Sequence, residues 1–176
     1  MIMSRINYDL GRIRAVAFDV DGVLSPAVVP LGPDGVPQRM ANLRDGYAMV
    51  QAVKQGLQLA IISGADAPGV RERFEIIGVQ NIFLGHLDKR PVLEQWMASL
   101  GLAPDEVAYV GDDIPDLAPM AVVGLPVAPR DACTECKAAA RFIAGAAGGH
   151  GVARELIEEI LRARSLWPVA SAATGV

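Results

Sequence analysis

Two carboxylates one residue apart, Asp19 and Asp21, follow the apolar run Ala15-Val16-Ala17-Phe18 and lead into Gly22. In an extended segment side chains repeat every second residue, so this pair leaves the strand on one side. Two like charges held together need a cation or a proton to offset their repulsion. Alone, the pair could be an ordinary strand-end turn, but three more strand ends carry matching chemistry. Ser63-Gly64 follows one apolar run, a hydroxyl and a glycine placed to bind an anion ahead of a helix. Lys89 follows another, at a helix start where a cation opposes the helix dipole and so lacks a local structural reason. The fourth, Gly111-Asp112-Asp113-Ile114-Pro115-Asp116, gathers three carboxylates within one turn of a helix amino terminus. One would be a cap; three call for a counter-cation. Carboxylates on two strands would hold a hard divalent ion through oxygen, which favours Mg2+. A carboxylate, a cation and an anion socket around one point are the parts of phosphoryl transfer.

The elements that must position these groups follow from the apolar pattern. Strand-length runs occur at Val16–Val20, Leu57–Ile62, Ile82–Leu84, Val107–Val110 and Leu125–Val127. Helical patterns occupy Gly46–Lys54, Pro68–Ile77, Arg90–Leu100, Ile114–Val122, Thr134–Phe142 and Val152–Ala163. Short unalternating strands interleaved with helices make a parallel sheet covered on both faces, an α/β three-layer sandwich of Rossmann-like order. Gly56, Gly78 and Gly101 stand where left-handed residues end helices, and Asp45, Asp66 and Asp88 where caps or first-turn charges belong. Ligands in such sheets bind beyond the carboxyl ends of the strands, where all four chemical segments fall. Between the first strand and first helix, the segment from Ser25 to Arg44, with its Gly32-Pro33-Asp34-Gly35 turn, reads as a projecting β-hairpin. Its apolar Val28, Val29 and Leu31 would be awkward on a lone ribbon and suit burial against another subunit.

A chain of 176 residues with net charge −4 fits one domain, residues 1–164, followed by a small-residue-rich tail, 165–176, expected to be mobile. The acidic balance offers no basic stripe for nucleic acid. No run approaches the roughly 20 apolar residues of a membrane span. The segment holding Arg5, Asn7, Asp9 and Arg12 lacks the apolar core of a secretion signal, so a cytoplasmic protein is expected. The only two cysteines, Cys133 and Cys136, form a Cys-x-x-Cys pair at a predicted helix start. They are too few for a four-thiolate zinc site and are either packed thiols or a redox pair.

Taken in order, Phe18-Asp19-Val20-Asp21-Gly22, Ser63-Gly64, Lys89 and Gly111-Asp112-Asp113-x-x-Asp116 resemble the four motifs of the haloacid-dehalogenase (HAD) superfamily of phosphatases. Further segments, Asp21–Ser25, Asn42–Tyr47, Val107–Asp113 and Gly148–Gly151, are similar to the 3-deoxy-D-manno-octulosonate 8-phosphate phosphatase family. The resemblance implies an HAD-like fold without a separate cap domain. It also implies a homotetramer in which neighbouring subunits help close each active site on a small-molecule sugar acid phosphate. It makes Asp19 the nucleophile that becomes an aspartyl-phosphate, and Asp21 the general acid and base. Asp19, Asp112 and the Asp21 backbone carbonyl become the Mg2+ ligands. Ser63 and Lys89 would hold the transferring phosphoryl group, while Asp113 and Asp116 would orient the metal shell or Lys89. The loop Asn42, Leu43, Arg44, Asp45 and Gly46, together with Gly64 and Arg73, becomes the substrate-binding set. Arg44 is the candidate partner of a sugar carboxylate.

Three positions depart from the family pattern: Val50, Ala65 and His150 stand where relatives are often basic. That leaves open a nine-carbon sugar acid 9-phosphate of a sialic-acid-type pathway as the substrate. Two other classes stay open: a catalytically idle HAD-like tetramerisation domain, and a receiver-type signalling domain. The complete set of acidic, hydroxyl and lysine positions argues against the first. The second would need its phospho-acceptor after the third strand, where this chain has Leu84-Gly85-His86.

Overall fold

The computed structural model describes residues 4–168. Six strands form one sheet in the order β3-β2-β1-β4-β5-β6, every neighbouring pair parallel. They are β1 (Ala15–Phe18), β2 (Gln58–Ile62), β3 (Asn81–Phe83), β4 (Val107–Val110), β5 (Leu125–Ala128) and β6 (Phe142–Ile143). The helices between them are α1 (Leu43–Lys54), α2 (Pro68–Ile76), α3 (Lys89–Ser99), α4 (Leu117–Met120), α5 (Thr134–Ala139) and α6 (Val152–Ala163). No helix among the described residues is long and apolar enough to cross a membrane.

The strands are buried on both faces, which explains their unbroken apolar runs. One face carries Val16, Phe18, Leu59, Ile61 and Val110 against α1 and α6, whose Met49, Leu156, Ile157 and Ile160 complete that core. The other carries Ala17, Ala60, Ile62 and Tyr109 against Leu93 and Trp96 of α3, Met120 of α4 and Cys136 of α5. Strand order reverses between β1 and β4, so their carboxyl ends open the crevice in which such sheets bind ligands. Asp19 and Asp112 leave the sheet there, on adjacent strands.

Three details differ from the sequence reading. The helix expected through Phe142 stops at Ala139; Ala140 turns extended, and Phe142–Ile143 pairs with β5 as a sixth strand. Burial of Phe142 at that edge outweighs the helical pattern. The projecting segment is no regular hairpin: a single antiparallel bridge, Leu31 with Pro37, closes it, flanked by Gly32 N–H to Val36 O and Gln38 N–H to Pro30 O. Pro26, Pro30, Pro33 and Pro37 remove the donors a longer ladder would need. The start of the tail is seated rather than loose, with Trp167 edge-on to Tyr47 of α1 at 6.1 Å and under the Arg154 guanidinium of α6 at 4.6 Å. The remaining tail, 169–176, lies outside the described residues.

Candidate active site

A cleft of about 400 Å3 at the β1–β4 crevice is lined by Asp19, Asp21, Ser63, Lys89, Asp112 and Asp116, with Gly64 and Asp113 also on its wall. All four strand-end segments therefore converge. Lys89, the first residue of α3, reaches inward, is 5% exposed, and places Nζ 2.8 Å from both Asp19 Oδ1 and Asp116 Oδ1. Asp116 is fully engaged. Its Oδ1 also accepts from the Tyr109 hydroxyl at 2.7 Å, and its Oδ2 accepts from the amides of Asp112 (2.9 Å) and Asp113 (3.3 Å). With four donors on two oxygens, Asp116 acts as the post that fixes Lys89 and the acidic loop. Ser63 is buried, held by its amide to Phe83 O, and its Oγ accepts from the Ala65 amide at 3.2 Å.

Two glycines allow the close approach. Gly22 has φ +83°, and a side chain there would overlap the Asp112 carboxylate. One at Gly111 would overlap Asp116.

The electrostatics ask for a cation. Asp19, Asp112 and Asp116 can each bring one carboxylate oxygen within 4.8 Å of the others. Among the described residues, one ammonium, Lys89, faces Asp19 and Asp116. Burial, then repulsion from Asp116, pushes Asp19 up to about 7 despite the opposing pull of Lys89. Burial, then the neighbouring Asp19 and Asp116 charges, pushes Asp112 up to about 8. Burial disfavours the charged form of Lys89, but the facing Asp19 and Asp116 overcome it and raise Lys89 above its ordinary value. An all-oxygen donor set short of positive charge fits a hard divalent ion such as Mg2+.

The expected substrate-binding residues separate into two groups. Gly64 lies on the cleft wall. Asn42 and Asp45 turn away into the fold: Asn42 caps α1 through the Arg44 and Asp45 amides and donates Nδ2 to Gly149 O at 3.1 Å. Asp45 is buried, with Oδ1 accepting from the Arg154 amide at 2.7 Å. Asn42 ties the start of α1 to the loop before α6, and Asp45 ties it to the first turn of α6. That loop in turn packs on Gly22: a side chain at Gly148 would meet the Gly22 carbonyl. Leu43 and Arg44 are exposed and line no part of the Asp19 cleft, while Gly46 is buried and leaves room for the Arg73 guanidinium. Arg73 sits in a neighbouring groove of about 710 Å3, largely apolar, which meets the cleft at Ala65.

Sequence reasoning missed two side chains. Arg39 donates Nε and Nη2 to the two oxygens of Asp21, both at 2.8 Å. Its signal was available, since it is the only Lys or Arg between Ser25 and Leu43. Tyr109 is the lone phenol of an otherwise aliphatic central strand, and buried phenols seek a partner.

Comparison with known proteins agrees with this geometry. Residues 75–156 match the haloacid dehalogenase-like hydrolase family. The chain is 36% identical over 152 residues to the 3-deoxy-D-manno-octulosonate 8-phosphate phosphatase of Escherichia coli K12, covering 86% of this chain and 81% of that one. It belongs to this family of HAD-like phosphatases. Solved family structures superpose closely. The Yersinia pestis phosphatase gives a TM-score of 0.85 at 34% identity, covering 90% of this chain and 85% of that one. The Moraxella catarrhalis phosphatase, in complex with magnesium, phosphate and the sugar acid, gives 0.83 at 31% identity over 88% and 89%. The Haemophilus influenzae phosphatase in its cobalt-bound form gives 0.85 at 32% identity over 89% and 92%. Divalent ions in these relatives accord with the oxygen donors gathered here.

Proposed function

We propose that this protein is a Mg2+-dependent phosphatase that hydrolyses 3-deoxy-D-manno-octulosonate 8-phosphate through an aspartyl-phosphate on Asp19, as a step in lipopolysaccharide sugar synthesis. The observation that carries the reading is Lys89, buried and shared at 2.8 Å between Asp19 and Asp116, beside the unbalanced Asp112 carboxylate. A nucleophile, a phosphoryl-binding cation and a divalent-ion site then meet at one point.

Asp19 and Asp112, with the Asp21 carbonyl, would hold Mg2+, which supplies charge neutralisation between an anionic nucleophile and an anionic phosphate. Asp19 attacks phosphorus. Lys89 and Ser63 hold the equatorial oxygens, and Asp116 with Tyr109 keeps Lys89 aimed. Asp21 gives a proton to the leaving sugar oxygen, then takes one from the water that hydrolyses the intermediate. Arg39 bonds both Asp21 oxygens, so this pair must part before Asp21 can serve the leaving group.

The reading includes a cytoplasmic homotetramer with the active site at a subunit interface. It is supported by the apolar side chains on the projecting segment, Val28 at 90% and Leu31 at 67% exposed, which a neighbour would cover. Arg44, exposed and outside its own cleft, would then be available to a neighbouring site. The nine-carbon alternative rests on Val50, Ala65 and His150, with Val50 half-buried on α1. Ala65 brings no cation to the cleft rim, and His150 turns its Nδ1 to Gly148 O at 2.8 Å.

The test is phosphate release from a panel of sugar phosphates, with Mg2+ and with EDTA. A magnesium-dependent preference for the eight-carbon acid is expected. A preference for the nine-carbon acid selects the alternative. No release from any substrate by folded, Mg2+-binding protein would overturn the enzyme reading in favour of an idle assembly domain.

A further inference from the structure

The two cysteines lie directly beneath the acidic loop. Cys133 caps α5, and its Sγ accepts from the Cys136 amide at 3.4 Å. Its own amide donates to the Asp112 carbonyl at 2.8 Å. Cys136, fully buried, points its thiol at the Asp113 carbonyl at 3.1 Å. Both thiols are free, and Cys133 is partly exposed. Each cysteine is thus bonded to one of two consecutive residues of the loop that carries Asp112. The phosphatase chemistry uses neither.

We propose that Cys133 and Cys136 form a reversible disulfide by exchange with low-molecular-weight disulfides of the glutathione type, and that closing it loosens the divalent-cation site at Asp112. The modification stands on the geometry of the pair; its effect on the metal rests on the phosphatase reading of Asp112. The partly exposed partner, Cys133, attacks one sulfur of the glutathione disulfide, forming a mixed disulfide and releasing one glutathione. Cys136 then attacks the Cys133 sulfur and releases the second. Two electrons pass from the cysteine pair to the glutathione disulfide, and the two thiol protons end on the two glutathione thiols. The cap hydrogen bond already turns Cys133 Sγ over the Cys136 backbone, and a spacing of two intervening residues at a helix start suits such closure.

The coupling follows from the bonds that closure breaks. A disulfide sulfur carries no proton, so the Asp113 carbonyl loses the Cys136 donor. Cys136 must also swing from Asp113 towards a sulfur–sulfur separation of about 2.05 Å. Cys133 is anchored to Asp112 through its amide, so the strain enters the loop next to the metal ligand. Groups that hydrogen-bond a metal-ligating residue typically contribute about 10-fold or more in metal affinity, and the Cys133 amide holds Asp112 in this way.

The experiment equilibrates the reduced, full-length protein with rising ratios of glutathione disulfide to glutathione, then alkylates and weighs it. Mg2+ is titrated calorimetrically into the reduced and oxidised forms. The expected result is loss of two hydrogens, reversed by dithiothreitol, with Mg2+ affinity about 10-fold weaker when oxidised. Cys133→Ser, which keeps the cap, is expected to hold the reduced affinity at every ratio. Three results overturn the proposal. They are no intramolecular disulfide in folded protein whose thiols react once unfolded, a disulfide that leaves Mg2+ affinity unchanged, and no Mg2+ binding by the reduced protein. Reduced protein that binds Mg2+ but cleaves no sugar phosphate would defeat the phosphatase reading instead, with the redox result still readable.

Discussion

Arg39 grips Asp21 through two parallel hydrogen bonds of 2.8 Å, tying the projecting segment to the wall of the Asp19 cleft. The segment is otherwise thinly held: the Leu31–Pro37 bridge lies within it, and the Met40 amide to Ser25 Oγ at 2.9 Å is a further polar tie near its base. Asp21 is 46% exposed, so screening limits the pair to about 0.5–1 kcal/mol. Arg39→Gln should therefore leave the melting temperature nearly unchanged while amide hydrogen exchange across residues 31–40 quickens, by no more than about five-fold. Unaltered exchange there would show that the pair does not hold the segment down.

Proton release should accompany metal binding. Asp19 at about 7 and Asp112 at about 8 lie far above the 3.8 of an unfolded aspartate. Between those values the metal-free fold holds more protons than the unfolded chain, so its stability falls as pH rises through 7 and 8. A bound divalent ion favours the ionised carboxylates and reverses that loss. Mg2+ affinity should climb from about pH 6 to about pH 9, and its heat should depend on buffer ionisation enthalpy. A flat affinity across that range would mean that these carboxylates are not the ligands.

Much of the site was legible because strand-end chemistry is local. Asp19, Ser63, Lys89 and Asp112 each follow a short buried run, and parallel pairing of β1 with β2 and β4 brings their ends together without further information. What stayed hidden depends on long-range packing. Asn42 and Asp45 carry groups that suit a substrate loop, yet contacts more than 100 residues away, with Gly149 and Arg154, turn them inward. Arg39 lies 18 residues from Asp21, across a proline-rich segment that has no period to read. The sixth strand was hidden in a helical pattern that edge pairing overrode.

Asp45 should make the fold sensitive to pH independently of the metal. Burial pushes its carboxyl up to about 6, against the opposing hydrogen bond and charge of Arg154, and its Oδ2 has no partner among the described residues. Because this value is raised, the stabilising neutral form is lost as pH climbs from near 4 through 6. Asp45→Asn removes the titration, though its amide brings an unpaired donor that costs about 1–3 kcal/mol. The stability difference between variant and parent, from urea unfolding with Mg2+ present, should shift by about 2 kcal/mol in favour of the variant between about pH 4.5 and about pH 7.5. A constant difference would place the Asp45 carboxyl in contact with water.

A side chain at Gly22 would demand both a left-handed backbone and the space of the Asp112 carboxylate. Gly22→Ala should therefore cost metal affinity before it costs the fold. If Asp112 holds the ion as proposed, Mg2+ half-saturation rises about 10-fold or more, since Asp112 itself must move. Far-ultraviolet circular dichroism should stay unchanged. A variant with parental Mg2+ affinity would show that Asp112 has room this structure does not provide.

Asp116 lies close enough to Asp19 and Asp112 to be a third metal ligand, yet both of its oxygens are already committed to donors. The two roles separate on replacement by asparagine. Whichever way the new amide turns, its NH2 faces donors: Lys89 and Tyr109 on one side, the Asp112 and Asp113 amides on the other. A positioning role predicts that Lys89 loses its aim, so Asp116→Asn should lower kcat by about 10²–10³-fold, the range for losing a phosphoryl-stabilising group. Tyr109→Phe, which removes one of four donors, should cost only several-fold, about 1 kcal/mol. In both variants Mg2+ half-saturation should stay within about 10-fold of the parent, the lower end of what second-layer contacts contribute. Loss of Mg2+ binding in Asp116→Asn, with kcat recovered at high Mg2+, would instead make Asp116 a direct ligand and free Lys89 from its dependence on it.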